Sequence, residues 1–332
     1  MVLQKLCNAA GPSGYEGSVR QIIKDEIKDY VDEIKVDRMG NIIAHKKGSE
    51  KKVVVDAHMD EVGFIIIGYN DDGTLKFTSL GGISNKVVPS KVVNIGKDKI
   101  PGVIGLKPIH LQSKQERGKN IPISKCCIDI GAKSKEEAKK LIPLGEYAVF
   151  TTEFGHFGEG LIKGKAFDDR IGCSILIELL KENYNCDLYA VFNVQEEVGM
   201  RGAYVSAYDI KPDITIAIEG TVCADMPGIQ KHLMSTEIGK GPAISIIDKT
   251  SIYDKDIINE MKKVAVDNHI SYQLRRTSVG SNDAGAFVMS GEGVKPAAIA
   301  VPCRYIHSSI SVCSLEDYNN TIKLVTNYLK SL

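Results

Sequence analysis

The sequence predicts an α/β fold: an α/β/α sandwich around a mostly parallel sheet, with a small β-barrel-like domain inserted into it. In residues 1–63 and 151–332, short β-branched runs of buried-strand type alternate with helical segments. In residues 64–150, short apolar runs such as GFIIIGY and IPGVIGL are interrupted by glycine and proline. We therefore expect one discontinuous domain from the two outer ranges and a separate domain from the middle range.

The first predicted elements are a helix and a strand. Residues 13–34 have apolar side chains at helical spacing, and Ser13 with Glu16 predicts a capping box at the start of that helix. The run KKVVVDAH that follows predicts a buried strand ending at His58. This order places a polar, metal-binding side chain at the end of a buried strand.

The remaining elements follow from turn signals and from the return of the alternating pattern. NDDGT and LGGIS predict turns, and Ser134 followed by Glu137 predicts the start of a helix. GSNDAGAF (280–287) predicts a glycine turn before a helix, which either shapes a substrate pocket or only caps that helix. We predict helices at 171–182, 254–268 and 315–330, and strands at 188–194, 214–218 and 297–301.

The composition excludes several classes of function. Lysine plus arginine equals aspartate plus glutamate at 42 each in 332 residues, so no charge excess favours a nucleic acid or a membrane surface. No apolar run reaches the length of a membrane span, and the first residues lack the apolar core of a signal peptide. The eight cysteines form no C-x-x-C pair, and we expect them to be reduced and buried. These features predict a cytoplasmic protein with no nucleic-acid or membrane partner.

Five scattered segments each offer a side chain that divalent metals bind. They are too many for one catalytic zinc, which usually takes three protein ligands, but they suit two metals about 3.5–4 Å apart with one bridging carboxylate. Several of them follow predicted strands, where open α/β sheets place their sites. The candidate ligands are His58, Asp168, Glu197, Glu219 and His307.

Neighbouring acids suggest further roles. Asp60 lies two residues after His58 in an extended segment, so its carboxylate can accept the imidazole proton that faces away from a metal. Of the adjacent pair Glu196 and Glu197, one can bind a metal while the other takes a proton from metal-bound water; we assign Glu196 as this general base. Of Asp168 and Asp169, one can bridge metals while the other pairs with arginine or caps a helix.

The other polar candidates are weaker. Glu61 is expected at the surface or behind the site. His110, in the middle range, is either structural or reaches into the site of a neighbouring subunit. The remaining histidines have no supporting context and are expected at the surface; they are His45, His156, His232 and His269.

Four motifs carry a resemblance to a known family. AHMDEVG, GKAFDDRIG, QEEVGMRGA and RYIHS, in this order, resemble the co-catalytic metallo-aminopeptidases of the glutamyl and deblocking (tetrahedral) aminopeptidase family. The resemblance implies one metal held by His58, Asp168 and Glu219. It implies a second metal held by Asp168, Glu197 and His307, with Asp168 bridging. Glu196 and Asp60 would be the catalytic residues, Glu196 as base and Asp60 as the group that orients His58.

The resemblance also implies cofactors and partners. The metals would be zinc or cobalt, although many relatives carry aspartate where this chain has Glu219. Residues 1–63 and 151–332 would form the metallopeptidase catalytic domain, and residues 64–150 would mediate dimerisation within a hollow tetrahedral dodecamer. The expected substrates are short peptides with a free N-terminus.

Two alternatives stay open: an N-acyl amino-acid deacylase or dipeptidase on the same scaffold, and a catalytically silent metal-binding assembly protein. A glycosidase is not expected, because the acids do not form two carboxyl groups facing each other across a sugar site.

Overall fold

The computed structural model describes residues 1–49, 51–275 and 279–332. The helices in chain order are α1 (Val2–Asn8), α2 (Gly17–Ile27), α3 (Lys114–Arg117), α4 (Lys135–Leu141), α5 (Phe167–Leu180), α6 (Arg201–Ile210), α7 (Lys255–Asp267), α8 (Ala284–Val288) and α9 (Leu315–Ser331).

The strands in chain order are β1 (Glu33–Val36), β2 (Ile42–Lys46), β3 (Lys52–His58), β4 (Gly63–Tyr69), β5 (Leu75–Leu80), β6 (Val92–Ile95), β7 (Ile100–Gly105), β8 (Cys127–Asp129), β9 (Tyr147–Phe150), β10 (Gly155–Phe157), β11 (Leu161–Gly164), β12 (Asp187–Asn193), β13 (Ile214–Val222), β14 (Ala243–Ser245), β15 (Gln273–Arg275), β16 (Lys295–Arg304) and β17 (Ser311–Ser314).

A large central sheet runs in the order β1-β2-β12-β3-β13-β16-β17-β11-β10, with β14 beside β16 and β15 beside β14. Its four central strands, β12, β3, β13 and β16, are parallel to their neighbours within this group, and antiparallel strands extend the sheet on both sides. Residues 53–58 of β3 are all buried, as expected for a parallel strand covered on both faces. The predicted α/β sandwich is thus confirmed.

Helices cover both faces of this sheet. Alternate residues of β3 point to opposite faces: Val55 packs in the core that includes α5 and α9, whereas Val54 packs with Ala203 of α6 and Phe287 of α8. The helical layers bury both faces and leave the carboxyl ends of the parallel strands open at one edge.

A second body, the barrel, consists of six antiparallel strands closed in the order β4-β5-β8-β7-β6-β9. Its core includes Phe64, whose ring packs edge-to-face against Phe77 at 5.2 Å and Phe150 at 5.3 Å between centroids. The predicted barrel-like insert is confirmed, and every strand of the barrel lies between Gly63 and Phe150.

The prediction for residues 13–34 was wrong in length and in its cap. Helix α2 ends at Ile27, and Ile34 lies in β1 opposite Ala44 of β2. Apolar spacing alone did not separate a helix from a following edge strand, because sheet pairing decides between them. No capping box forms: the Ser13 hydroxyl donates instead to the Asp60 carboxylate at 2.6 Å.

Other local predictions agree with the structure. Ser134 caps α4 by accepting from the Glu137 amide, and the predicted helices correspond to α5, α7 and α9. All eight cysteines are free; Cys127 is half-buried and the others are buried. No helix in the described part of the chain combines the length and apolarity needed to cross a membrane.

Candidate active site

The five predicted metal ligands meet at the open edge of the central sheet. His58 is the last residue of β3, and Glu197 lies in the turn after β12. Asp168 lies at the start of α5 and is joined to Asp169 by a cis peptide bond, and His307 lies in the loop between β16 and β17. Glu219 lies within β13, not beyond its end as predicted, because β13 continues for three residues past the glutamate.

Asp168 stands between the two imidazoles. Its Oδ1 is 3.2 Å from Nε2 of His58, and its Oδ2 is 3.1 Å from Nε2 of His307. Glu219 Oε2 lies 3.8 Å from His58 Nε2, and Glu197 Oε1 lies 3.4 Å from His307 Nε2. Two donor groups result, each with atoms within 4.8 Å of one another, and Asp168 belongs to both: His58, Asp168 and Glu219; Asp168, Glu197 and His307.

The outer ring nitrogens fix the tautomers of both imidazoles. Nδ1 of His58 faces the Asp60 carbonyl at 3.1 Å and the Asp60 carboxylate at 3.4 Å, and both groups are acceptors. Nδ1 of His307 faces the Gly82 carbonyl at 2.9 Å. Each Nδ1 therefore donates its proton to these acceptors, so Nε2 is the ring nitrogen that faces the carboxylates and would bind a metal.

The carboxylates and imidazoles perturb one another strongly. Burial opposes the charge on Asp168, but hydrogen bonds to His307 and His58 outweigh it and hold the pKa of Asp168 well below its ordinary value. Burial likewise opposes the charged form of His307, yet its hydrogen bond to Asp168 and the charge of Glu197 raise the pKa of His307 to about 10. The negative charge of these carboxylates therefore favours positive charge beside them.

Two observations show that the residues fit divalent metals. Burial, with the neighbouring acids, raises the pKa of Glu197 to about 7 and that of Glu219 well above its usual range. Oε1 of Glu219 is buried and has no hydrogen-bond partner among the described residues. Buried carboxylates in this condition are stabilised by a cation, and the mixed imidazole and carboxylate donors suit zinc-like ions.

Asp60 ties three parts of the site together. Its buried carboxylate accepts from the Ser13 hydroxyl at 2.6 Å, the Glu196 amide at 3.0 Å and the Glu197 amide at 3.2 Å, and it also faces His58 Nδ1. It thus holds both the imidazole and the turn that carries the two glutamates. Burial alone would raise the pKa of Asp60, but these hydrogen bonds lower it.

Glu196 lies beside the donor groups without belonging to either. Its Oε2 is 3.8 Å from His58 Nε2, and burial raises the pKa of Glu196 well above its usual range. The turn that presents it is tight, because the amides of Gly199 and Met200 both donate to the Glu196 carbonyl. Gly199 has a φ of +117°, which favours glycine.

The barrel also contributes to the site, which sequence reasoning missed. The turn after β5 brings Gly82 against His307, and a Cβ on Gly81 would lie 3.1 Å from the side chain of Glu197. Gly81 has a φ of +82°. The LGGIS turn signal was visible in the sequence, but nothing in it indicated which residues the turn would contact.

Glu61 is not a surface residue. It is buried, and its carboxylate accepts from Lys165 at 2.7 Å and from Arg170 at 3.2 Å. Asp169 does not pair with an arginine: its carboxylate accepts from the His58 amide and from the amide of Gly172, three residues further on in α5, in line with the helix-capping alternative. The partners of Glu61 lie about a hundred positions away, so no local pattern revealed them.

The remaining histidines are mostly where they were predicted. His156, His232 and His269 are exposed, but His45 is not at the surface. Its ring stacks on Tyr189 at 4.2 Å, and its Nε2 lies 2.7 Å from Asp187, because both residues belong to the neighbouring strand β12. His110 is exposed within the barrel range, and its role stays a prediction.

A cavity of about 610 Å³ opens over the donor groups. The glycine turn predicted from GSNDAGAF precedes α8: residues 280–282 line the cavity, and the Asn282 side chain accepts from the amide of Ala284, the first residue of α8. Arg275 also lines the cavity and was missed, because its three-residue strand β15 has no recognisable sequence pattern.

Comparisons with known proteins agree with this geometry. The family described as M42 glutamyl aminopeptidase matches residues 40–324. A putative aminopeptidase of Acetivibrio thermocellus is 40% identical over 98% of this chain and 96% of its own. A lysyl aminopeptidase of Pyrococcus furiosus is 32% identical over 100% and 96% of the two chains. The TET1 peptidase of Pyrococcus horikoshii, which can assemble into a tetrahedron or a large octahedral shell, superposes with a TM-score of 0.90 at 35% identity, covering 100% of this chain and 99% of that one.

Proposed function

Because the chain belongs to the M42 glutamyl aminopeptidase family, we propose that it is a two-metal aminopeptidase that removes N-terminal residues from short peptides. Zinc or cobalt would be held by His58, Asp168 and Glu219 in one position. In the other position the metal would be held by Asp168, Glu197 and His307. The observation that carries this proposal is the pair of donor groups that share Asp168 at the edge of the sheet.

The chain's own residues divide the remaining work. Bound divalent metals would supply Lewis acidity and lower the pKa of a water molecule. Glu196 would take a proton on its carboxylate as the nucleophile attacks the scissile carbonyl, and would pass that proton to the departing amine. Asp60 would keep His58 in the tautomer that presents Nε2, and its hydrogen bonds to two amides would keep Glu196 beside the reaction.

Family membership leaves the preferred N-terminal residue open. The family description names glutamyl aminopeptidases, whereas the Pyrococcus furiosus relative is a lysyl aminopeptidase. A cavity of about 610 Å³ is large enough for the N-terminal residue of a peptide and the adjoining peptide unit.

The assembly is the second part of the proposal. We propose that the barrel, formed within residues 64–150, mediates dimer contacts that build a closed shell like that of the TET1 peptidase. Two large apolar side chains of the barrel, Ile109 and Leu111, are 69% and 60% exposed, and such exposure is typical of a contact surface. Sedimentation equilibrium should give a large multiple of the 36.2 kDa chain mass; a monomer at micromolar concentration would refute this part.

A substrate panel tests the activity. The protein, reconstituted with zinc or cobalt, would be assayed on aminoacyl-p-nitroanilides and on their N-acetylated counterparts. Cleavage of only the free-amine set supports the proposal, cleavage of only the acetylated set would indicate a deacylase, and no cleavage with two metals bound would indicate a silent metal-binding protein. Bound metal is counted by elemental analysis.

A base variant completes the test. Glu196→Gln should lower kcat by at least about a hundredfold while two metals remain bound. Glu159→Gln, at an exposed position, is the matched control and should leave kcat unchanged. Full activity in Glu196→Gln would exclude Glu196 as the base.

A further inference from the structure

The cavity over the donor groups contains a buried arginine that the proposed mechanism does not use. Arg275 ends β15, next to Ser245 of β14, and only 7% of its surface is exposed. It is the single lysine or arginine among the described residues that line the cavity. A buried guanidinium with no function would be costly, because charge is poorly tolerated away from water unless it is paired.

The described surroundings leave Arg275 poorly paired. One Nη donates to the Val279 carbonyl at 2.6 Å, while Nε has no hydrogen-bond partner among the described residues. No carboxylate of the described residues lies within ion-pair distance of the guanidinium. A guanidinium offers five donors in a planar fork that matches a carboxylate, and the Val279 carbonyl uses only one Nη group of this fork.

The carboxylate of Asp248 already accepts several hydrogen bonds. Asp248 accepts from the Thr250 amide, the Ser251 amide and the Thr250 hydroxyl through Oδ1. Its Oδ2 accepts from the Tyr253 hydroxyl at 2.5 Å. Asp248 therefore stabilises its own turn and leaves the Arg275 guanidinium without a carboxylate in direct contact.

The carboxylates on the other wall of the cavity form their ion pairs with His58 and His307, and not with Arg275. Asp168, Glu197 and Glu219 would contribute three negative charges, and two divalent metals would bring four positive ones. Gly280 lies beside the guanidinium, since a Cβ there would be 3.4 Å from an Nη of Arg275. The walls beside the guanidinium are neutral and polar, with Ser245 and Asn282 among them.

We propose that Arg275 is a specificity-determining residue that binds a carboxylate of the substrate inside this cavity. The carboxylate has two possible sources: an acidic side chain on the N-terminal residue, or the α-carboxylate of a dipeptide. In both cases a carboxylate would bind the planar guanidinium group of Arg275. This inference rests on the proposed aminopeptidase function and adds the charge of the substrate to it.

Two isosteric substrate pairs distinguish the sources. Glutamyl- and glutaminyl-p-nitroanilide differ only in the side-chain charge, and Leu-Ala and Leu-alaninamide differ only at the carboxyl end. The wild-type protein should prefer the charged member of one pair by about 10- to 100-fold in kcat/KM, the range expected for a hydrogen-bonded charge. Preference in the first pair identifies the side chain, and preference in the second identifies the dipeptide carboxylate.

Variants separate recognition from folding. In Arg275→Gln the preferred ratio should fall to about 1, because the charge contact is what distinguishes the two members of the pair. Arg275→Lys should retain part of the preference through its charge. Arg38→Gln, the same change at an exposed position, should leave every ratio as in the wild type. If Arg275→Gln does not fold, the wild-type ratios and Arg275→Lys still decide the result.

Each outcome has one meaning. Wild-type cleavage without preference in either pair would overturn this inference and leave the aminopeptidase proposal standing. A preference that persists unchanged in Arg275→Gln would also overturn it. Failure to cleave any free-amine substrate, with metals bound, would refute the proposed function itself.

Discussion

Asp60→Asn is the most informative single change, because Asp60 is not a predicted metal ligand yet its carboxylate faces His58 and accepts from the Glu196 and Glu197 amides. The asparagine side chain could adopt two orientations. In one, its NH₂ group would face the Glu196 backbone amide and His58 Nδ1; in the other, it would face the Glu197 backbone amide. All of these groups are donors. Ser13 can rotate its hydroxyl to accept, but a backbone amide cannot. The variant therefore leaves at least one buried amide without an acceptor.

The expected magnitude follows from these contacts. One lost hydrogen bond to a charged acceptor, with weaker ones remaining, should lower the free energy of unfolding by about 2–4 kcal/mol. Loss of the partner that orients His58 should weaken metal binding by about 10- to 100-fold. The assays are urea unfolding of the metal-free protein and competition for zinc with a chelator of known affinity. Asp71→Asn is the control, since the Asp71 side chain is 99% exposed.

The pH dependence of the unfolding free energy tests the role of the Asp60 charge. The folded-state pKa of Asp60 lies below its ordinary value, so its ionised form contributes stability that is fully present above the unfolded pKa and is lost only as pH falls through the folded pKa. The contribution of the Asp60 charge to the difference in unfolding free energy between wild type and Asp60→Asn should therefore be lost only below about pH 4. Unchanged metal affinity together with unchanged stability would refute this account of Asp60.

Three further predictions concern the metals, the ion cluster and the barrel. Removing metals with a chelator should lower the melting temperature, and zinc or cobalt should restore it, since ligands that bind only the folded state stabilise it; Glu219→Gln should reduce this recovery. Glu61→Gln should cost about 3–5 kcal/mol in urea unfolding, because it leaves Lys165 and Arg170 as buried unpaired cations. Phe64→Ala should cost about 3–5 kcal/mol, because it opens a cavity between the aromatic rings of the barrel core.

These predictions have matched controls and clear contradictions. Glu26→Gln removes one partner of the exposed pair with Lys5 and should cost less than about 1 kcal/mol. Equal costs for Glu61→Gln and Glu26→Gln would contradict the burial argument. A melting temperature that does not respond to either metal would contradict the metal assignment, and an unchanged unfolding curve for Phe64→Ala would contradict the packing of the barrel core.

The sequence was most informative where chemistry and strand position coincide. His58, Glu197 and Glu219 were predicted to lie near strand ends because parallel strands bring their carboxyl ends to one edge, and the structure places these side chains together. The helix cap at Ser134 was predictable because both of its partners lie within three residues. Local rules suffice when the interacting groups are local.

Contacts between distant segments were not predictable. Glu61 was expected at the surface or behind the site, because its partner Lys165 is 104 positions away and no local pattern indicates the pair. Ser13 was expected to cap a helix, because its actual partner Asp60 is 47 positions away. Helix α6 was not predicted, because its sequence RGAYVSAYDI has only a modest apolar face. Arg275 had no periodic context at all, and its significance depends on what does not pair with it.

The hydrogen bond between Gly82 and His307 bears on how such an enzyme could be redesigned. A chain shortened by replacing β4–β9 with a linker would keep the sheet and all five donors, yet it would lose the carbonyl that holds the Nδ1 proton of one imidazole. The inserted barrel is therefore not a detachable module. Miniaturising the protein would require a new acceptor for His307 at the same place, and grafting the barrel elsewhere would remove a contact of the proposed active site.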